Sequence, residues 1–190
     1  MRRKRPVNRA LRMGRRPFLY PVFTINFKLN KEAGMTYPIK HVVNCFLQKD
    51  FEDGTASITP MKMQKLLYFL HGWHLAITGH PVIEEKFSAW PYGPVEENLY
   101  HMLKNYRGTP ITAYLKDGPG EPSFVVANTA EMFYKILDMV WRKYSDFSAL
   151  QLSAMTHEQG TPWDMVYNHG TSPYIPNDMI QDYFKKVIYA

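Results

Sequence analysis

The sequence contains a single cysteine, Cys45, among its 190 residues. An internal disulfide is therefore excluded, and the cysteine content gives no argument for an oxidising compartment. No apolar run is long enough to cross a bilayer, because the best candidate, residues 60–78, is interrupted by His71 and His74. We therefore expect a soluble, cytoplasmic protein that needs no membrane partner.

The sequence also lacks the short motifs that mark common enzyme classes. It has no Gly-rich phosphate-binding loop, no nucleophile elbow, no protein-kinase signature, no His-Glu-x-x-His arrangement and no paired cysteines. These absences remove the strongest sequence arguments for nucleotide-dependent, hydrolase and zinc-protease chemistry. We predict no catalytic residue, no metal site and no cofactor.

Acidic residues are absent from the first 16 positions, which hold eight of the 23 basic residues. The remaining 15 basic residues face 17 acidic ones, so the net charge of +6 comes from this tail. We interpret residues 1–34 as a disordered basic extension, or as sequence upstream of a true start at Met35. The alternative is an arm that binds nucleic-acid phosphates through Arg2, Arg3, Lys4, Arg5, Arg15 and Arg16.

The rest of the chain, residues 35–190, has the composition of one folded domain, and its central element is the stretch at residues 60–78. Thr59 is a suitable N-cap, Pro60 suits the first helical position, and Gly79 suits the residue after the end. Apolar side chains surround this stretch almost completely. The pattern predicts a helix that is buried on several sides.

A narrow strip of this central helix carries Lys65, Gly72 and Ala76. Because Gly72 and Ala76 are small and four residues apart, we expect a neighbouring backbone to approach closely there. Apolar spacing and capping residues predict six further helices around the central one. They cover residues 38–51, 94–106, 128–144 with an Asn128–Glu131 capping box, 148–158 with a Ser148–Gln151 capping box, 161–170, and a last helix from Pro176.

Two β elements are predicted between the helices. Residues 86–90 form a short strand, and residues 111–115 and 123–127 flank a turn rich in Gly and Pro, which is typical of a β-hairpin. The predicted fold class is therefore mainly α with a small β element (α+β). It consists of a compact helical domain around a central buried helix, plus a β-hairpin.

A metal- or thiol-dependent enzyme is one functional alternative. His71 and His74 are three residues apart, and a Cys45–His157 or Ser153–His157 pair would be a conceivable nucleophile arrangement. The simpler interpretation makes Cys45 a small buried side chain, His74 a hydrogen-bonded core residue and His71 a contact between helices. A metal site would need further ligands, such as His157, Asp164 or Cys45.

The most distinctive loop is Ala-Trp-Pro-Tyr-Gly-Pro-Val at residues 89–95. Two aromatic side chains among prolines and a glycine make a stiff surface, which is typical of a partner-binding anchor. Alternatively, Trp90 and Tyr92 fold back into the core. The candidate partner-binding residues are Trp90, Tyr92 and Trp163.

Three sequence blocks together resemble a known family. The first is Gln-Lys-Leu-Leu-Tyr-Phe running into His-Gly-Trp-His-Leu at residues 64–75, and the second is residues 89–95. The third combines Leu152-Ser153, Thr156-His157 and Pro162-Trp163. In this order and spacing they resemble the Panacea domain, also called SocA-like and long labelled phage-associated, over about residues 35–190.

That resemblance implies a mostly helical antitoxin with a small β element. Members of the family are encoded beside bacterial toxins and are thought to neutralise them by direct binding, and one relative delivers its toxin to a protease. The resemblance implies no catalytic residues. Our hypothesis is a non-catalytic protein that binds a cognate toxin encoded nearby. The alternatives are a proteolytic adaptor, a metal- or thiol-dependent enzyme, and a nucleic-acid binder acting through the basic tail.

Overall fold

The computed structural model describes residues 22–24, 35–167 and 174–189. Within these ranges seven helices and two pairs of short strands confirm the predicted α+β class. None of these helices is both long and apolar enough to span a membrane. The helices are α1 (Ile39–Glu52), α2 (Pro60–Thr78), α3 (Glu97–Leu103), α4 (Glu131–Tyr144), α5 (Ala149–Thr156), α6 (Pro162–Val166) and α7 (Asn177–Tyr189). The strands are β1 (Val22–Thr24), β2 (Ser88–Trp90), β3 (Gly93–Val95) and β4 (Ser123–Val125).

Helix α2 is the centre of the fold, with the ends that the sequence predicts. The side chain of Thr59 accepts a hydrogen bond from the Lys62 amide, and Gly79 has a φ of +79°, the left-handed conformation that ends many helices. Every residue from Lys62 to Ala76 is buried. The helix packs against α1, α3, α4, α5, α7 and β3. Burial on all sides explains why almost no polar face is present.

The small strip on α2 accommodates a neighbour, although the neighbour is not a backbone as we expected. The aromatic ring of Phe184 on α7 lies directly over Gly72, where a Cβ atom would collide with it. Phe184 is 1% exposed, so this contact fixes the last helix against the central one. A glycine is required here for space and not for backbone conformation.

The predicted hairpin at residues 111–127 is wrong. Residues 123–125 form β4. Residues 111–115, all of which the structure describes, do not form a strand. Instead, the side-chain amide of Asn44 on α1 lies between the two segments. It donates to Leu115 O (2.9 Å) and Phe124 O (2.8 Å), and its oxygen accepts from Leu115 N (2.8 Å). Because Asn44 takes these backbone groups, the two segments do not pair with each other.

Strand β4 pairs with β1 in parallel, with Val22 opposite Ser123 and Thr24 opposite Val125. Of residues 1–34, the structure describes residues 22–24, which form β1. The prediction that residues 1–34 are a disordered extension otherwise lies outside the described residues.

Several helix boundaries differ from the prediction. Helix α3 begins at Glu97 and not at Pro94, because residues 93–95 form β3, and its last predicted turn is a 3₁₀ helix, Lys104–Tyr106. Helix α4 has Ala130 at its N-cap with no side-chain hydrogen bond, so the predicted Asn128–Glu131 capping box is wrong. The Ser148–Gln151 capping box on α5 is confirmed, although the helix ends at Thr156.

The C-terminal helices follow their predicted start signals. The side chain of Thr161 accepts from Asp164 N at the start of α6. This helix ends at Val166 and Tyr167 is extended, so the predicted continuation through Tyr167 is wrong, and the rest of that prediction, residues 168–170, lies outside the described residues. Helix α7 begins just after Pro176 and buries Ile180 and Phe184 as predicted. Helices α5 and α6 both lie close to the β2–β3 hairpin, which they help to hold.

Candidate functional site

The loop at residues 89–95 is itself the β-hairpin of this fold. Strands β2 and β3 are antiparallel, with Ser88 opposite Val95 and Trp90 opposite Gly93, so Pro91 and Tyr92 form the turn. Gly93 has a φ of +98°, which side chains disfavour. Proline at two positions further restricts the backbone. The local sequence therefore limits the hairpin to few conformations.

Three side chains from other elements hold the hairpin through its alternate carbonyl groups. They come from α6, α5 and α2, so three helices converge on one side of the strand pair. The bonds run from Trp163 Nε1 to Trp90 O (2.9 Å), from Ser153 Oγ to Tyr92 O (2.9 Å) and from Lys65 Nζ to Pro94 O (2.8 Å). The three sequence blocks that mark this chain thus meet in a single hydrogen-bonded unit.

The chain that leaves the hairpin is fixed in the same way. The side-chain amide of Gln64 donates to Glu96 O (2.9 Å) and accepts from Glu96 N (2.8 Å). The Glu96 carboxylate in turn accepts from the amides of Asn98 and Leu99 and so caps α3. Residues 64 and 65 of the central helix therefore hold both the second strand and the helix that follows it.

Gly93 lies where the hairpin is closest to the helices. A Cβ atom at this position would lie 2.5 Å from Thr156 Oγ1 and 2.9 Å from Lys65 Nζ. Both distances are shorter than a non-bonded carbon contact allows. Gly93 is therefore required both for its backbone conformation and for the close approach of the Lys65 amine.

The opposite side of the hairpin is open to solvent and aromatic. Tyr92 is 70% exposed and Tyr100 on α3 is 41% exposed. The partly buried Trp90 packs its ring on Tyr100, with the ring centroids 4.9 Å apart. We call the surface of Trp90, Pro91, Tyr92 and Tyr100 the hairpin face.

The structure divides the three predicted partner-binding residues between two roles. Tyr92 is on the surface and Trp90 is partly accessible, but Trp163 is 9% exposed. The Trp163 ring is stacked on Tyr167, with centroids 4.4 Å apart, and its indole N–H is used by Trp90 O. Trp163 therefore supports the hairpin from below, and its predicted contact with a partner stays a prediction.

An unusual pair of basic groups lies beneath the hairpin. Lys65 is 1% exposed, and burial lowers the pKa of its amine to about 7. His157 at the end of α5 has a lowered pKa because it is desolvated and because Lys65 lies nearby. Its ring contacts Trp163, with centroids 3.8 Å apart, and its buried Nε2 has no hydrogen-bond partner. This pair is not predictable from the sequence, because Lys65 on the narrow strip of α2 and His157 are 92 residues apart.

The candidate nucleophiles are occupied with structural contacts. The thiol of Cys45 is buried against Tyr134 Oη and Val126 N, and desolvation raises the pKa of Cys45 to about 11, which disfavours the reactive thiolate. The Ser153 hydroxyl donates to Tyr92 O and not to His157. The interpretation of Cys45 as a small buried side chain is confirmed.

The two histidines of α2 are also structural. His71 Nε2 bonds Asn177 Oδ1 on α7 (2.9 Å), and desolvation lowers the pKa of His71 to about 4. His74 Nδ1 donates to His80 O (2.8 Å), a backbone carbonyl just beyond the end of the helix. The predicted roles, a contact between helices and a hydrogen-bonded core residue, are confirmed. Within the described ranges, no three His, Cys, Asp or Glu side chains are grouped as metal ligands.

The predicted nucleic-acid-binding residues all lie outside the described residues. They are Arg2, Arg3, Lys4, Arg5, Arg15 and Arg16. Their role stays a prediction. Sequence reasoning also missed Tyr100, although the helical spacing of α3 placed Leu99 and Leu103 inward and left Tyr100 on the outer face.

Comparison with known proteins gives a family and one curated relative. Antitoxin SocA of Caulobacter vibrioides (strain NA1000 / CB15N) is 32% identical to the chain over 114 residues, which is 58% of this chain. The chain spans 61% of the length of that relative. No solved structure matches the chain. Residues 63–164, which include all three sequence blocks and more than half of the chain, match the family model, and the chain therefore belongs to the family of Antitoxin SocA-like proteins with a Panacea domain.

Proposed function

We propose that this protein is an antitoxin that neutralises a cognate protein toxin, encoded nearby, by binding it directly. Membership of the Antitoxin SocA-like family supports the antitoxin role. The toxin binds to the hairpin face, with Tyr92, Trp90 and Tyr100 as its aromatic anchors. No chemical step by this chain is required, because a protein that covers an active site inhibits it by exclusion.

The observation that carries this proposal is the contrast between the two sides of the hairpin. Three carbonyls on the inner side are bonded to Trp163, Ser153 and Lys65, whereas Tyr92 on the outer side is 70% exposed. Aromatic anchors that are ordered before binding lose little conformational entropy on association. A rigid, exposed aromatic turn is thus suited to contact another protein.

The proposal is tested by co-expressing the chain with the product of the adjacent reading frame. We expect the wild-type chain to restore growth and to co-purify with the toxin. Tyr92→Ala and Tyr100→Ala should weaken the complex by roughly 10- to 100-fold each, since truncating a central aromatic anchor removes about 1–3 kcal/mol. Affinity is measured by titration calorimetry with a catalytically inactive toxin.

Met132→Ala and Met139→Ala are the matched controls. Both methionines are exposed apolar side chains, at 43% and 39%, but they lie on α4, away from the hairpin. They should leave rescue and affinity unchanged. Equal losses from the α4 and hairpin variants would contradict the hairpin face as the binding surface. Rescue with a loss of toxin protein, but without a stable complex, would instead favour the adaptor alternative.

A further inference from the structure

Lys65 is buried in surroundings that do not match a charged amine. Its Nζ atom has one hydrogen-bond acceptor in the described part of the chain, Pro94 O at 2.8 Å, whereas an ammonium group has three protons to donate. The amine is enclosed by Gly93 and lies close to Thr156. A buried charge is normally paired, because transfer of an isolated ion from water is strongly unfavourable.

Among the residues that the structure describes, no carboxylate forms an ion pair with this amine. Strand β3 carries no titratable residue, and α5 carries none until its C-cap, His157, which is also basic. The first acid after β3, Glu96, uses its carboxylate to cap α3. On α2 itself, Lys62 lies one turn earlier and donates to Ser145 O (2.6 Å). The charge of Lys65 disfavours the protonation of His157, whereas burial alone disfavours the protonation of Lys65.

We propose that Lys65 is the positioning residue of the hairpin and that loss of its proton tightens the hold of the core on the hairpin face. The neutral amine still donates to Pro94 O, but no longer places a charge among apolar groups. The protonated amine favours states in which the hairpin lifts and water reaches Nζ. Toxin affinity then depends on pH, and this consequence rests on the proposed function.

The sign of the pH dependence follows from the pKa of Lys65 in two states, a closed state with the hairpin held against the helices and an open state in which water reaches Nζ. Burial holds the pKa of Lys65 at about 7 in the closed state, whereas an amine in water titrates near 10.4. Between these values the open state binds more protons, so the closed state is favoured increasingly as pH rises from 7. Below pH 7 both states are protonated and the dependence levels off. His157 acts in the same direction, because its pKa is also lowered in the closed state.

The inference is tested without any partner, by hydrogen exchange of the full chain between pH 6 and pH 8. The measured quantity is the protection factor of amides in residues 88–96, corrected for intrinsic exchange. We expect the protection factor to rise about tenfold over this range in the wild type. The amides of α4 provide an internal control and should change less than twofold. An equal slope in both segments would overturn the proposal.

Lys65→Met separates the proton from the packing, since the side chain keeps a long unbranched apolar stem but has no amine. Between pH 7 and pH 8, above the ordinary histidine pKa of about 6.5, its hairpin amides should show almost no pH slope, whatever their absolute protection. A slope that persists in Lys65→Met and disappears in His157→Gln would overturn the role of Lys65. If the protection of the hairpin depends on pH as expected but the chain does not bind the neighbouring gene product, the proposed function is refuted and the role of Lys65 stands.

Discussion

The chain contains two turns rich in Gly and Pro, at residues 90–94 and 116–122, and their surroundings differ. The first closes the β2–β3 hairpin, whose carbonyls are held by donors from α2, α5 and α6. The second connects segments that are bonded to α1 instead, through Asn44 and through a hydrogen bond between His41 Nε2 and Asp117 Oδ2 at 3.0 Å. The composition of the two turns is similar, but the donors that reach them are not.

This difference shows that the donors outside each turn decide whether its flanking segments pair. Residues 111–115 have other partners for their backbone groups: Ile111 N donates to Ile58 O (2.8 Å) and Asn44 takes both backbone groups of Leu115. The β2–β3 hairpin keeps its strand pairing, with Ser88 opposite Val95 and Trp90 opposite Gly93. The helix side chains bond the carbonyls of Trp90, Tyr92 and Pro94 in addition to this pairing. The hairpin is therefore rigid on one side and available on the other.

The largest expected effect comes from filling the space under the hairpin. Gly93→Ala adds a Cβ atom against Thr156 and Lys65 and strains a φ of +98°. We expect a loss of about 3–4 kcal/mol in the free energy of unfolding, from overpacking and backbone strain together. Urea denaturation followed by circular dichroism measures it.

Gly120→Ala is the matched control in the second turn. Gly120 also has a positive φ, +81°, but nothing lies within 4 Å of its Cβ position. This variant should lose only about 1 kcal/mol, the cost of the left-handed conformation. If both variants lose the same amount, close packing under the hairpin is not what distinguishes the two turns.

The next effect concerns the donor that holds the second turn. Asn44→Ala removes three hydrogen bonds and leaves partly buried backbone groups of Leu115 and Phe124 without these partners. We expect a loss of about 2–3 kcal/mol and faster exchange of amides in residues 111–125, with the β2–β3 hairpin unaffected. Gln48→Ala, one turn further along α1, should change stability by less than about 0.5 kcal/mol. Loosening of the hairpin by Asn44→Ala would contradict the independence of the two turns.

The parts of the fold that were predictable depend on neighbouring residues. The ends of α2 follow from Thr59, Pro60 and Gly79, which act on the backbone within one turn. The error at residues 111–127 arose because the decisive side chain, Asn44, is 71 residues away from Leu115 in sequence. No periodicity in the flanking segments carries that information.

The site was predictable to a similar extent. The aromatic and proline content of residues 89–95 predicted a stiff, distinctive loop, because stiffness is a local property, but it left open whether Trp90 and Tyr92 face solvent or the core. The support beneath it was not predictable, since it depends on Lys65, Ser153 and Trp163 from three helices. Lys65 lies on the narrow strip of α2 that also carries Gly72 and Ala76, and in the structure β3 and α5 cover the strip at Lys65.

The variant with the smallest expected effect on the free energy of unfolding, Ser153→Ala, tests whether a side chain can fix the hairpin without contributing much to the stability of the domain. Ser153→Ala removes one hydroxyl-to-carbonyl bond, from Ser153 Oγ to Tyr92 O, and leaves the rest of the hairpin contacts in place. We expect a loss of about 1 kcal/mol or less in the free energy of unfolding. Exchange of the hairpin amides should nevertheless increase several-fold, because one of the three bonds on the inner side is gone. Thr109→Ala removes a similar hydroxyl-to-carbonyl bond in an exposed turn and should leave the hairpin amides unchanged. If Ser153→Ala also leaves them unchanged, Ser153 does not fix the turn, and the rigidity of the hairpin comes from its prolines and from Lys65 and Trp163.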